Sequence, residues 1–199
     1  MRGMLPCIVQ GINGGSDDLR DTSLLFLLGF LEAASTAAIE ELVELKTCNA
    51  VVRYFVCSQE EVRLTAAACC YKMYTKAVAA QVDFVGENGV KMLLSLIASS
   101  THSLQQVQVL VSYLEALVVH SAESLHRLVA CHLWVAHGWD TLAVVSQAID
   151  CPTTHTAISN ILETAKAYQL SALVLEPVQD PKAAEHSEES ETPEVPLDC

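Results

Sequence analysis

Two groups of residues carry the types that do chemistry. The first is Cys69-Cys70, side by side in EEVRLTAAACCYKM, Glu60 to Met73. A cysteine pair binds metal or cycles redox when both sulfurs converge and a nearby cation or helix start favours the thiolate. Neighbours on a helix diverge by about 100°, so these two cannot grip one ion together. The expected role is therefore packing, as a small buried hydrophobe. The second group is His120, His126, Cys131, His132 and His137. It has no C-x-x-C or H-E-x-x-H spacing and straddles a predicted helix–turn–helix. Polar-face and interface histidines are the expected reading, with a metal-dependent site as the alternative. No G-x-S-x-G, G-x-x-x-x-G-K-[ST] or G-x-G-x-x-G occurs. Glu40-Glu41 and Glu60-Glu61 fit helix starts, where the macrodipole favours acids. The residues thus predict a protein that is not an enzyme, with no catalytic, cofactor-binding or metal-binding residue.

The elements that carry these residues read as helices. Proline is absent between Cys7 and Cys151, which suits long helices better than a turn-rich sheet protein. Hydrophobic residues make up 51% and aromatics 6%, so an aliphatic core is expected. Net charge is −13, against nucleic-acid binding, whose affinity comes from Lys and Arg on phosphates. No apolar run reaches the roughly 18–20 residues that cross a bilayer, and Leu24–Leu31 is the nearest. Membrane insertion is not expected. Eight cysteines, mostly in apolar helical runs behind a weak N-terminal signal pattern, predict reduced thiols and a cytoplasmic protein.

Those helices repeat. Glu60-Glu61-Val62-Arg63 overlays Gln105-Gln106-Val107-Gln108, and then Val62/Val107, Ala66/Val111, Cys69/Leu114 and Met73/Val118 agree along one helical stripe. Asn49-Ala50-Val51-Val52 overlays Asn88-Gly89-Val90-Lys91, and Gly138-Trp139 opens a third copy. Short apolar elements precede these helices at Ile39–Val43, Val82–Gly86 and Leu125–Val129. The unit is a long helix, a short helical link and a second helix, with a period in the armadillo/HEAT range. A partial unit spans 18–58, fuller ones 59–99 and 100–150, and a closing helix runs from Thr154 to Leu170. The predicted domains are an N-terminal arm, partly flexible, over 1–17, a repeat domain over 18–173, and a disordered acidic tail over 174–199. That tail holds seven acids against Lys182 after residue 176, with Pro and Ser and no aromatic.

The passage EEVRLTAAACCYKMYTKAVAAQVDFVGENGVKMLLSLI resembles an armadillo repeat, including F-V-x-x-x-G-V-x-x-L-L from Phe84 to Leu94. The resemblance implies an all-α, short, right-handed superhelical solenoid. Armadillo proteins that bind extended basic peptides carry a Trp/Asn ladder on the last helix of each unit. Here AVVRYFVCS, GVKMLLSLIASS and GWDTLAVVSQAID offer only Trp139, which disfavours that mode. The stretch from Val62 to Leu94 is also similar to armadillo-type nucleotide-exchange factors of DnaK-type chaperones, and LLFLLGFLEAASTAAIEELVEL parallels their first repeat. The departure is STAAIEEL, where that family tends to have an Asp-Asn-Ala turn, together with a shortened C-terminus.

The expected function is a protein–protein interaction or scaffold module, a subunit or adaptor of a larger assembly. The alternative is a co-chaperone that promotes ADP release from a heat-shock ATPase. Between Met92 and Leu175 only Glu115, Glu123, Arg127, Asp140, Asp150, Glu163 and Lys166 are charged, leaving neutral faces for a partner. Tyr54, Lys91, Ser95, Trp139 and Gln147 are the predicted concave-face residues. Lys72 and Lys76 join Arg53, Arg63 and Lys91 as a predicted seat for an acidic partner or the acidic tail.

Overall fold

The computed structural model describes residues 4–14 and 16–175, with side chains as far as Gln169. The described residues form eleven α-helices and no strand. These are α1 (Met4–Gly14), α2 (Asp17–Ala33), α3 (Thr36–Glu44), α4 (Thr47–Val52), α5 (Glu60–Tyr74), α6 (Val78–Gly86), α7 (Gly89–Ser99), α8 (Leu104–Val119), α9 (Glu123–Val135), α10 (Gly138–Ala148) and α11 (Pro152–Leu175). A 3₁₀ turn, Arg53–Val56, prolongs α4. The described residues are all-helical, as the proline-free body predicts.

Three rows of neighbours build the core. The long helices pack α2 on α5, α5 on α8 and α8 on α11. The short links pack α3 on α6 and α6 on α9, while α7 packs on the 3₁₀ turn and on α10. Polar links between neighbouring units repeat at nearly constant spacing. Cys69 Sγ donates to Leu24 O over 3.7 Å, and Asn160 donates to Glu115 over 2.8 Å, each spanning 45 residues. Gln106 and Glu60 join across 46.

The turn between each short link and the next helix is also repeated. Lys46, Asn88 and His137 all adopt the left-handed conformation, with φ of 58°, 61° and 54°. This closes one helix and redirects the chain into the next. The register read from sequence needs correction here, because the counterpart of Asn88 is Lys46 and not Asn49. Lysine carries no turn signal, so the apolar pattern slipped by three residues, about one helical turn. The residue after the turn lies against the preceding link. A Cβ on Gly89 would meet Phe84 O at 2.5 Å, and one on Gly138 would meet Leu133 Cδ1 at 2.5 Å. Contact requires glycine at these two positions, while the first copy has the buried Thr47 after its turn.

Two further expectations need revision. Residues 4–14, within the predicted N-terminal arm, form a helix whose Leu5, Ile8, Val9 and Ile12 are buried against α2 and α4. Those four follow helical spacing, which yields enough apolar burial to hold the segment down. The core is also not purely aliphatic. Tyr74 meets Phe84 at 5.2 Å and Tyr71 at 5.7 Å between ring centroids, Phe84 meets Phe55 at 6.4 Å, and Tyr71 stacks on Tyr113 at 4.2 Å. Few aromatics suffice because they gather where neighbouring units join. The closing helix keeps Ile158, Ile161 and Ala165 buried and runs on to Leu175. The rest of the predicted tail, from residue 176, lies outside the described residues. Among the described residues no single helix is long and apolar enough to cross a membrane; α9 and α10 reach that length only together, as a pair bent by 72°.

Candidate interaction surface

The cysteine pair is core. Cys69 is 0% and Cys70 1% exposed. Burial pushes the Cys69 thiol up to about 12 and Cys70 well above its ordinary value. Neither is a nucleophile near neutral pH. The histidine–cysteine cluster is dispersed: His120, Cys131 and His137 are exposed, and His126 stacks on Tyr168 at 4.2 Å. Among the described residues no group of three or more His, Cys, Asp or Glu is placed to hold an ion.

Three predicted partner residues are occupied by the fold itself. The Tyr54 hydroxyl donates to Ile12 O, tying the 3₁₀ turn to α1. Lys76 Nζ donates to the carbonyls of Leu31, Glu32 and Ala34 at 2.6, 3.1 and 3.3 Å. Helix α2 has no basic residue in its last turn, so Lys76, in the turn directly after α5, satisfies its orphan carbonyls from outside. Lys72 pairs with Glu32 at 2.8 Å and holds that carboxyl below its usual range. The sequence predicts these lysines as part of a seat for an acidic partner; in the fold their ammonium groups tie α5 and the turn after it to the end of α2. Long basic side chains at helical spacing look the same in sequence whether they reach solvent or a neighbouring helix end.

The remaining four divide. Lys91, Ser95 and Gln147 are exposed on the neighbouring helices α7 and α10. Trp139 is half-buried at the start of α10 and meets Trp134 of α9 edge-to-face at 5.5 Å. With His137 matched to Asn88, Trp134 stands where α6 has Val85, and Trp139 where α7 has Val90. Both valines are 0% exposed, whereas Trp134 is 57% exposed. In the middle unit both positions are buried; in the last unit Trp134 faces solvent and Trp139 is half-buried. Val135 and Val144 are 76% and 64% exposed on the same two helices. A cavity of about 290 Å³ lies between the rings, lined by Trp134, His137, Trp139 and Asp140. Sequence reasoning found Trp139 and missed Trp134, because Trp134 sits in a link helix whose period suggests burial. The signal available was the low charge density around it.

A second missed residue is Cys151, directly before α11. Gln108 Nε2 donates to its sulfur at 2.9 Å, and Thr153 Oγ1 lies 3.1 Å away. The Thr153 hydroxyl at the sulfur, with the Thr154 backbone amide, lowers its thiol to about 6. The folded chain therefore releases this proton near pH 6, while an ordinary thiol keeps it to about 9.0. Stability contributed by Cys151 is full above that upper value and is lost as pH falls toward 6. Cys151→Ser keeps the cap and removes the titration. Urea midpoints taken at pH 6, 7.5 and 9 should rise more with pH in the wild type than in C151S. Parallel profiles would show that no thiolate forms there.

The chain's measured likenesses are structural. The crystal structure of an engineered protein superposes with a TM-score of 0.66 at 16% identity, covering 83% of this chain and 64% of that one. A second engineered protein gives 0.48 at 13% identity, covering 82% of this chain and 48% of that one. The chain thus spans between about half and two thirds of the length of these proteins. No family model and no curated protein matches the sequence. The likeness establishes an all-helical fold and leaves function to the surface just described.

Proposed function

We propose that the chain is a short armadillo-like stack of three-helix units acting as a non-enzymatic docking module, an adaptor or subunit of a larger protein assembly. The observation that carries this reading is the uncovered aromatic face around Trp134 and Trp139. It lies in the half of the chain where charge is sparsest. Exposed aromatics flanked by neutral polar residues are what protein interfaces use as anchors, because tryptophan brings large contact area at small entropy cost. Unit-to-unit links at constant spacing support the stack, since such architectures offer extended surfaces rather than enclosed pockets. The partner surface contains Trp134, Trp139 and Val144, with Ser95 and Gln147 beside them.

Affinity purification of the full chain, compared with a Trp134→Ala/Trp139→Ala variant, tests this. A partner recovered by the wild type should be lost by the variant, with a fall in affinity of at least tenfold, as for a hot-spot pair. Equal recovery by both would refute the assignment. Adding a DnaK-type ATPase and measuring ADP release addresses the exchange-factor alternative in the same samples.

A further inference from the structure

We propose that the outer face of α1 and α2 is a two-fold interface that joins a second copy of this chain, α2 lying antiparallel to its mate. The reasoning starts from matched burial. Helices α2 and α5 open alike, Asp17-Asp18-Leu19-Arg20 matching Glu60-Glu61-Val62-Arg63 at their first turns. In that register the core-facing positions agree: Ser23/Ala66, Leu24/Ala67, Leu27/Cys70 and Leu31/Tyr74 are buried in both. Three positions do not. Val62, Cys69 and Met73 are buried on α5, facing α2, but their counterparts Leu19 and Phe26 are 50% and 67% exposed and Phe30 is only half-covered. Helix α2 therefore presents to solvent the stripe that α5 gives to a neighbouring long helix.

The stripe continues into a groove of about 560 Å³ lined by Met4, Ile8, Thr22, Leu25, Phe26 and Phe30, with Gly29 at its floor. No charged residue lines it among the described residues. Nothing stands within 4 Å of the place a Cβ would occupy on Gly29, so the floor is open to an incoming ring. The interior interface shows that a long helix fits such a stripe, which leaves the choice of helix. The other end of the stack is unsuitable, because the outward residues of α11 include Thr156, Ser159, Glu163 and Lys166. Head-to-tail growth would set those against Phe26 and Phe30. The α2 helix of a second copy instead brings aromatic rings and an open glycine to the same groove, so that Phe26 and Phe30 of each copy can enter the other's floor near Gly29.

Charge selects the orientation. The first turns of α2 hold Asp17, Asp18 and Asp21 against Arg20, while its last turn lies beside Lys72 and Lys76 with Glu32. Lys72 is already paired with Glu32 and Lys76 caps the carbonyls, but these three groups keep one net positive charge. Antiparallel pairing sets the acidic first turn of each copy beside that charge and opposes the helix dipoles, whereas parallel pairing sets acid on acid. A self-complementary patch of this kind closes as a two-fold dimer.

Sedimentation velocity of the full chain from about 1 to about 100 µM tests the proposal over the affinity range of small reversible dimers. The wild type should move from monomer to dimer. Phe26→Asp and, separately, Leu25→Glu should weaken association at least tenfold without changing thermal unfolding of the monomer, since both side chains are exposed. Trp134→Asp should leave association intact, which separates this face from the docking surface at the other end. A wild type that stays monomeric at the top concentration overturns the proposal, as does a dimer that Phe26→Asp and Leu25→Glu leave unchanged.

Discussion

Replacing Gly89 with alanine should cost the protein on the order of 2–4 kcal/mol, although the substitution adds one carbon to a helix that ordinarily gains from it. Gly89 is the first residue of α7, directly after the left-handed Asn88. The added Cβ would lie 2.5 Å from Phe84 O and 2.6 Å from two atoms of the Phe84 ring. The carbonyl belongs to α6 and cannot rotate away. The ring is 0% exposed and in contact with Phe55 and Tyr74, so it cannot yield without disturbing both. Either α7 shifts or the turn opens. Gly29→Ala is the control: a Cβ there meets nothing within 4 Å, and α2 should gain up to about 1 kcal/mol from the better helix former. Urea unfolding of the two variants beside the wild type gives the comparison. Similar midpoints for all three would mean that α6 and α7 do not approach as closely as described.

The same turn shows how much was legible before any coordinates. The Val82–Gly86 link, the Gly89 helix and the break between them follow from apolar spacing and a Gly-Glu-Asn-Gly signal, and the structure has α6, the turn and α7 there. The Lys46 turn carried no such signal. A lysine in the left-handed region is chosen by the helices on either side, not by its own preference, so only tertiary packing reveals it. The cysteine pair was legible because helical divergence excludes joint ligation whatever the surroundings. The lysines were not, since Lys72 and Lys76 act on α2, some 40 residues earlier in the chain. Trp139 stood out by type, but its partnership with Trp134 depends on how sharply α9 turns into α10. Exposure of an apolar residue depends on whether a further unit covers it, and periodicity within one helix contains no term for that. The same limit hid the outer face of α2, whose run of apolar residues reads as core from end to end.

Phe84→Ala should lower stability by about 3–5 kcal/mol, the range for removing a large buried aromatic. The size of the effect follows from where the ring sits. Phe84 belongs to the α6 link, Tyr74 to the preceding long helix, and Phe55 to the 3₁₀ turn of the preceding unit. One side chain therefore closes the junction between units and not only the interior of one. Tyr74 cannot relax into the space, because its hydroxyl donates to Tyr113 O at 2.5 Å and its backbone carbonyl accepts from Gln81. Gln81 in turn accepts from the Ala122 backbone amide through its side-chain oxygen, which carries the linkage to α9. A stack whose stability is a sum of units and junctions loses a junction here. The loss should then appear as lower cooperativity as well as a lower midpoint: the urea transition of F84A should broaden, its slope falling as the two halves begin to unfold separately. Leu133→Ala, its counterpart in the last unit, should be milder in slope because it has no further unit to uncouple. A Phe84→Ala transition as steep as the wild type and shifted by less than about 1 kcal/mol would mean that the aromatic cluster does not join the units.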